Sequence, residues 1–138
     1  MIDCYSKKMK LLGPAGSGQL AKMVNQICLA GMIQGLSEAI NFGTNAKLNM
    51  KEVIEVLSKG AAQSWQMENR HKTMIDDKFD YGFAVDWMRK DLKIAMDEAE
   101  RNNSPLPVTK IVDSYYAEVQ KMGGNRWDTS SLIKRFRK

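Results

Sequence analysis

Gly13-Pro14-Ala15-Gly16-Ser17-Gly18-Gln19-Leu20-Ala21-Lys22-Met23-Val24-Asn25-Gln26 is the stretch that decides how this chain reads. Its three glycines open a long apolar run, a lysine follows within the first two helical turns, and two carboxamides come a turn later. A helix start presents unpaired backbone N–H groups and the positive end of the helix dipole, so it attracts anions. An ammonium is disfavoured there, and Lys22 in that place asks for a chemical reason.

Outward from this stretch, apolar residues recur at three- and four-residue spacing: Leu20, Met23, Val24, Ile27, Leu29, Met32, Ile33, Leu36 and Ile40. No charge interrupts Met23 to Ser37, which predicts a helix buried on most of its surface, in a core or against a second subunit. Asn25, Gln26 and Gln34 interrupt the run, and it is too short for a membrane span. Gly31 and Gly35 permit close backbone approach, and Gly43 with Asn45 offers the stop.

Asn49 predicts the cap of a short helix from Met50 to Ser58, ended by Gly60. Ser64 predicts the cap of another, through Trp65, Met67 and Met74 to about Asp76. Asp80-Tyr81-Gly82 reads as a turn. A fourth helix is expected from about Val85 to Arg101, broken by Asn102-Asn103-Ser104-Pro105-Leu106-Pro107. Pro107 starts a fifth, with Val108, Ile111, Val112, Tyr115 and Val119 on one face and Gly123-Gly124 at its end. Thr129 is expected to cap a last short helix from Ser130 to Phe136. Nothing alternates like a strand, so the fold class is all-α, a helical bundle around one long apolar helix.

At 138 residues, one domain can bury a core without disulfides. The two cysteines, Cys4 and Cys28, lack metal-ligand spacing and read as free thiols of a reducing cytoplasm. Met1 to Lys10 is polar, with no signal-peptide core. The balance of 21 Lys plus Arg against 16 Asp plus Glu suits an anionic ligand or a soluble surface. The basic run Lys134 to Lys138 lacks aromatic interleaving and reads as a solvated terminus, so no nucleic-acid partner is expected, and no membrane partner or metal either.

Two phosphate-binding readings of the glycines fail. Gly16-Ser17-Gly18-Gln19-Leu20-Ala21 fits a dinucleotide fingerprint in letters, but that motif needs a preceding strand and a short crossover. A P-loop needs Lys-Ser or Lys-Thr after the last glycine, where Gln19-Leu20 stand. The simplest alternative is that the glycines turn the chain and Lys22 is a surface residue.

Gly-x-Gly-x-x-x-Lys followed by carboxamides resembles the catalytic-helix signature of the β-hydroxyacid dehydrogenases, which include 3-hydroxyisobutyrate dehydrogenase and tartronate semialdehyde reductase. Gly60-Ala61-Ala62-Gln63-Ser64-Trp65 and the segment Phe83 to Ala95, with Lys90-Asp91-Leu92, agree in order and spacing. The resemblance runs from Leu12 to the end of the chain. It implies that Lys22 is the acid–base residue, donating a proton to a carbonyl or steadying an alkoxide while nicotinamide exchanges a hydride. It implies substrate contacts from Gly16, Ser17, Gly18, Asn25, Gln26 and Trp65, with Ser64 nearby. Cofactor contacts are implied for Phe83, Lys90 and Asp91, the cofactor being NAD or NADP. In the family an asparagine is commoner at the position of Gln26, one turn on from Lys22. The decarboxylating 6-phosphogluconate relatives carry Lys-x-x-His-Asn where Lys22-Met23-Val24-Asn25-Gln26 stand here.

From the residues alone, Lys90 and Asp91 also fit a solvated helix face, with Asp86–Lys90 and Lys93–Asp97 as i,i+4 pairs and Asp91 half-buried. Trp65 and Phe83 fit a core equally well. His71, between Arg70 and Lys72 on a polar helix, carries no catalytic expectation, and the methionines read as core filler. The family places a Rossmann domain and a Ser-Gly-Gly substrate loop before this region. Neither is found here, so residues 1–11 read as the end of a linker and 12–138 as the helical C-terminal domain. The chain is thus expected to be a fragment, a trimmed piece, or the product of a split or degraded gene. Its expected partners are a small carboxylate substrate, further copies in a dimer or tetramer through the long helix, and possibly a separate Rossmann domain in trans. A non-catalytic dimerisation module and a split-enzyme subunit are the alternative readings.

Overall fold

The computed structural model describes residues 10–137; Cys4, most of the expected linker and Lys138 lie outside the described residues. Five helices follow one another: α1 (Ser17–Asn45), α2 (Met50–Leu57), α3 (Trp65–Ile75), α4 (Val85–Arg101) and α5 (Pro107–Lys121). A terminal 3-10 helix, Thr129–Phe136, closes the chain. Among the described residues the only sheet-like pairing is an isolated bridge between Ala84 and Asp128. The all-α class read from periodicity is the observed one.

The 29-residue α1 is the spine. It starts where Gly16 turns with φ 96°, a left-handed value that suits a residue without Cβ. One half of α1 packs Ala30 and Ile33 against Val85, Met88 and Leu92 of α4, Val112, Tyr116 and Val119 of α5, and Leu132. The other half packs Leu36 and Ile40 with Met50, Ile54, Met67, Met74, Phe79 and Ile133. Trp127 touches both clusters and joins them. Burial of this many aliphatic side chains, each contributing about 1.5–3 kcal/mol, is what opposes the entropy of ordering the chain.

Several local expectations change. The uncharged run of α1 is buried along one stripe only; Val24 and Met32 are exposed, as is Met122 among the other methionines. His71 is buried rather than on a polar face, and its Nδ1 lies 2.7 Å from the Met67 carbonyl oxygen. Asp86 does not pair with Lys90; it accepts from Gln120 Nε2 at 2.6 Å and Asn125 Nδ2 at 3.1 Å. Asp128, not Thr129, caps the terminal helix, accepting from the Ser130 N–H at 3.1 Å. Its Asx geometry outcompetes a threonine one position later.

Asp128 also explains Gly82. The carboxylate is buried, accepts from the Phe83 N–H at 3.0 Å and the Ser130 hydroxyl at 2.6 Å, and pairs with Arg70 at 3.4 Å. Gly82 has φ 73°, and a Cβ there would collide with the Asp128 Oδ2. Full burial pushes the neighbouring Tyr116 hydroxyl far above its usual range, and the Asp128 charge adds to this; the phenol donates to the Thr129 carbonyl at 3.2 Å.

Asp77 ties the terminal helix to α3, accepting from Lys134 Nζ at 2.7 Å and Arg137 Nη1 at 2.7 Å. Partial burial pushes its carboxyl up, but the hydrogen bonds and charges of Lys134 and Arg137 outweigh this and hold it below the usual carboxylate range. A carboxyl lowered in the folded state stabilises above its unfolded pKa, about 3.9, and stops doing so as pH falls through the lower folded value. Asp77→Asn is therefore expected to cost under about 1 kcal/mol at neutral pH, because the pair is largely exposed. The difference from the parent should shrink in urea titrations as the pH is taken down from about 3.9 through the lower folded value.

Candidate functional site

Lys22 stands in the second turn of α1, and Gly18 precedes it by one turn on the same face. A Cβ at Gly16 or Gly18 would meet nothing within 4 Å, so the approach to the Lys22 face is open. The helix positions Lys22, Asn25 and Gln26 at the spacing that brings them to adjacent edges of one surface. Facing them is Asp91 on α4, delivered there because Met88, Leu92 and Ala95 form the buried stripe of that helix.

Asp91 is only 1% exposed, deeper than the sequence suggested. Its Oδ2 is 3.0 Å from Lys22 Nζ and accepts from Gln26 Nε2 at 3.0 Å, and its Oδ1 accepts from Lys22 at 3.1 Å. Gln26 is itself buried; its Nε2 also lies 3.7 Å from the Met88 sulfur, and its Oε1 accepts from Asn25 Nδ2 at 3.0 Å. The result is a chain of polar contacts, Lys22–Asp91–Gln26–Asn25. Its ends differ from its middle: Asp91 and Gln26 are interior, while the Lys22 side chain is half exposed and Asn25 is exposed. A buried carboxylate needs compensation, and here the ammonium supplies it. This is the reason for a lysine near a helix start that the sequence left unanswered. A network of this form can hold one ammonium at a fixed place while leaving its outer side to a ligand.

Trp65 is the first residue of α3, whose start is capped by the Ser64 hydroxyl accepting the Met67 N–H at 3.0 Å. Asn25, Ser64 and Trp65 line one hollow of about 430 Å³ between α1 and α3. Phe83 and Lys90 do not join the polar chain. Phe83 is half-buried, tilts against Trp87 at 5.7 Å between ring centroids, and packs on the core. Lys90 is exposed on α4 and makes no ion pair among the described residues. Its neighbours Arg89 and Lys93 are held by Asp113 and Asp97 at 3.0 Å each. Hydrogen bonding to Asp113 and the charges of Asp113 and Asp86 hold the Arg89 guanidinium firmly protonated.

Sequence reading missed Met88, Arg70 and Asp128. Met88 reads as an ordinary helix residue, and no local pattern announces that Arg70 and Asp128 meet across the chain. Among the described residues, no group of three or more His, Cys, Asp and Glu side chains gathers as a metal site. No described helix is long and apolar enough to cross a membrane.

Residues 16–136 match the family model described as NAD-binding of NADP-dependent 3-hydroxyisobutyrate dehydrogenase. An uncharacterized oxidoreductase of Shewanella frigidimarina is 63% identical over 138 residues, all of this chain and 47% of the relative. A crystal structure of 3-hydroxyisobutyrate dehydrogenase from Salmonella typhimurium superposes with a TM-score of 0.78 at 29% identity, over 87% of this chain and 42% of that one. The Mycobacterium tuberculosis 3-hydroxyisobutyrate dehydrogenase with L-serine gives a TM-score of 0.85 over 96% of this chain and 48% of that one; at 24% identity it speaks to the fold. The chain spans about half the length of the curated relatives it matches.

Proposed function

Because the chain belongs to the 3-hydroxyisobutyrate dehydrogenase family of NAD(P)-dependent oxidoreductases, we propose that it is the helical half of an enzyme that interconverts a short 3-hydroxy acid and its semialdehyde. The observation that carries this reading is the Lys22–Asp91–Gln26–Asn25 chain, which holds one half-exposed ammonium against a buried carboxylate.

The residues fit a nicotinamide coenzyme by the chemistry of their donors. Lys90 is an exposed ammonium without an ion partner among the described residues, next in sequence to Asp91, and suits an anionic coenzyme. Nicotinamide, when bound, supplies or accepts the hydride. In the reducing direction Lys22 gives a proton to the carbonyl oxygen as that oxygen gains negative charge. In the oxidising direction the neutral amine takes the hydroxyl proton. Asp91 fixes the Nζ position through both of its carboxylate oxygens. Gln26, buried and already engaged, holds Asp91 and Asn25 and is a positioning residue. Asn25, at the exposed end, is the amide that reaches the substrate, and Gly16, Ser17 and Gly18 leave space beside Lys22 for its carboxylate. Trp65 borders the substrate side. Phe83 supports the site from the core side, where the Asp128 hydrogen bond fixes its backbone.

Residues 12–138 form the helical domain in this reading, and residues 1–11 are the end of a linker to a nucleotide-binding domain. The test joins this chain to the portion of the Shewanella relative outside the match, the 53% left after the matched 47%. The chimera should oxidise 3-hydroxy acids with NAD or NADP, and the chain alone should be helical by circular dichroism and silent. A folded, oligomeric chimera without turnover on any short 3-hydroxy acid would contradict the reading; robust turnover by the chain alone would contradict the division of labour.

Self-association through the long helix belongs to the same proposal. Val24, Val108 and Ile111 are all more than half exposed, and Val108 lies 3.9 Å from where a Cβ on Gly31 would be. An apolar strip shared by α1 and α5 is costly to leave in water. Light scattering of the chain at high micromolar concentration should give a dimer or larger, and Val108→Asp should shift it toward monomer.

A further inference from the structure

We propose that Arg70 is a positioning residue: its guanidinium, anchored on Asp128, holds the Trp65 ring as one wall of the hollow between α1 and α3 and so shapes the substrate side of the site. The inference rests on the dehydrogenase reading above and deepens it.

The Trp65 ring needs something to hold it. It opens α3, is 57% exposed, and lines the hollow together with Asn25, the exposed end of the polar chain. An indole with that much surface in water has more than one staggered rotamer open to it. The Arg70 guanidinium carbon lies 4.8 Å from the centroid of that ring and 4.9 Å from that of Tyr81. A cation at this distance is attracted to the ring, and the planar guanidinium suits stacking where an ammonium does not. The hold is firm only if Arg70 cannot itself swing away.

Asp128 is what anchors it. Arg70 Nε is 3.4 Å from Asp128 Oδ1, and Arg70 is the one cation paired with this carboxylate among the described residues. Asp128 is buried and fixed on its other sides: Oδ1 accepts from the Ser130 N–H and hydroxyl, and Oδ2 from the Phe83 N–H. Stripping a buried carboxylate of its counter-charge is costly, which keeps the guanidinium in place. Tyr81 is fixed as well, since its hydroxyl shares a hydrogen bond with Thr73 on α3. Gly82 closes the group: a Cβ there would lie 3.3 Å from Arg70 Nη2 as well as striking Asp128. Constraint therefore passes from Phe83 through Asp128 and Arg70 to Trp65, the two ends being the positions that the dehydrogenase reading puts beside cofactor and substrate. A wall held this way keeps its shape before a ligand arrives, and binding is spared the cost of ordering it.

Arg70→Lys separates positioning from plain structural support. Lysine can supply the charge that Asp128 requires, but it has no planar face to lay against the indole. Fluorotryptophan incorporated into the chain gives fluorine NMR signals for Trp65, Trp87 and Trp127, with Trp65 assigned through Trp65→Phe. Arg70→Lys should shift or broaden the Trp65 signal and leave the other two in place. In the chimera, Arg70→Lys should raise KM for the 3-hydroxy acid roughly three- to tenfold; the change should fall on KM and not on kcat, because a wall holds ground and transition states alike. With Trp65→Ala already present, Arg70→Lys should raise KM no further, since the ring through which Arg70 acts is gone. Should Arg70→Lys not fold, Arg70→Gln combined with Asp128→Asn removes both charges together and carries the same expectations. A KM unmoved in an active chimera would overturn this inference and leave the dehydrogenase reading standing. So would a Trp65 signal that stays put, or effects of Arg70→Lys and Trp65→Ala on KM that simply add. A Trp65 signal that moves in a folded chimera with no turnover on any short 3-hydroxy acid would support the hold on Trp65 and sink the dehydrogenase reading.

Discussion

Lys22→Ala is expected to lower the turnover of the chimera by roughly 10²–10⁴-fold, the usual loss when a general acid is removed. Alanine is the best helix former, so the helix itself loses nothing. The pair does lose something. Asp91 is 1% exposed and would keep only Gln26 as a partner. Stranding a fully buried charge costs about 3–5 kcal/mol; with Lys22 half exposed, a loss of about 1–3 kcal/mol is expected in urea titration. Activity and stability then need separating. Adding Asp91→Asn removes the stranded charge, so the double variant should recover most of the stability and none of the turnover. If the double variant regained activity with stability, Lys22 would be a structural counter-ion and not the acid–base group.

Asp91→Asn alone should leave the fold nearly intact, since a carboxamide fills the same volume and Gln26 can still donate to it. Lys22 loses the charge that fixes its Nζ. A misplaced catalytic group costs on the order of 10²-fold, and the loss should appear in kcat more than in KM because the substrate contacts remain. Asp91→Glu keeps the charge but pushes an extra methylene into a filled space beside Met88 and Leu92, both fully buried. It should rescue little, with some loss of stability from overpacking. An Asp91→Asn chimera at full rate would show that the carboxylate serves folding alone.

Much of this architecture is legible in the residues themselves. The 3.6-residue recurrence along Met23 to Ile40, the proline that starts α5 and the cap of α3 at Ser64 each act within a few residues, so local pattern reveals them. Lys22 and Asp91 were both singled out, one by an electrostatic mismatch at a helix start and one by the family resemblance of Lys90-Asp91-Leu92. That they are partners is a fact of tertiary contact across 69 positions, and nothing local encodes it. The same limit hid the meeting of Arg70 with Asp128. Gln26 shows the difference most clearly. Its spacing puts it on the Lys22 face, and only packing decides that this face turns inward at Gln26 and outward at Asn25. Burial of His71 was missed for a related reason: charged neighbours in sequence say little about which side of a short helix meets the core.

The central claim is that the Lys22 amine moves a proton at the substrate oxygen. Rescue of the Lys22→Ala chimera by added primary amines tests it most directly. The Gly18 side of the site is open, so a small amine can enter the space the side chain leaves. Turnover should rise with amine concentration, and the rescued rate should vary with the pKa of amines of equal size, as proton transfer in the transition state requires. An absence of rescue by every amine, in a variant whose stability Asp91→Asn has restored, would contradict the claim. So would rescue that follows amine volume and ignores pKa.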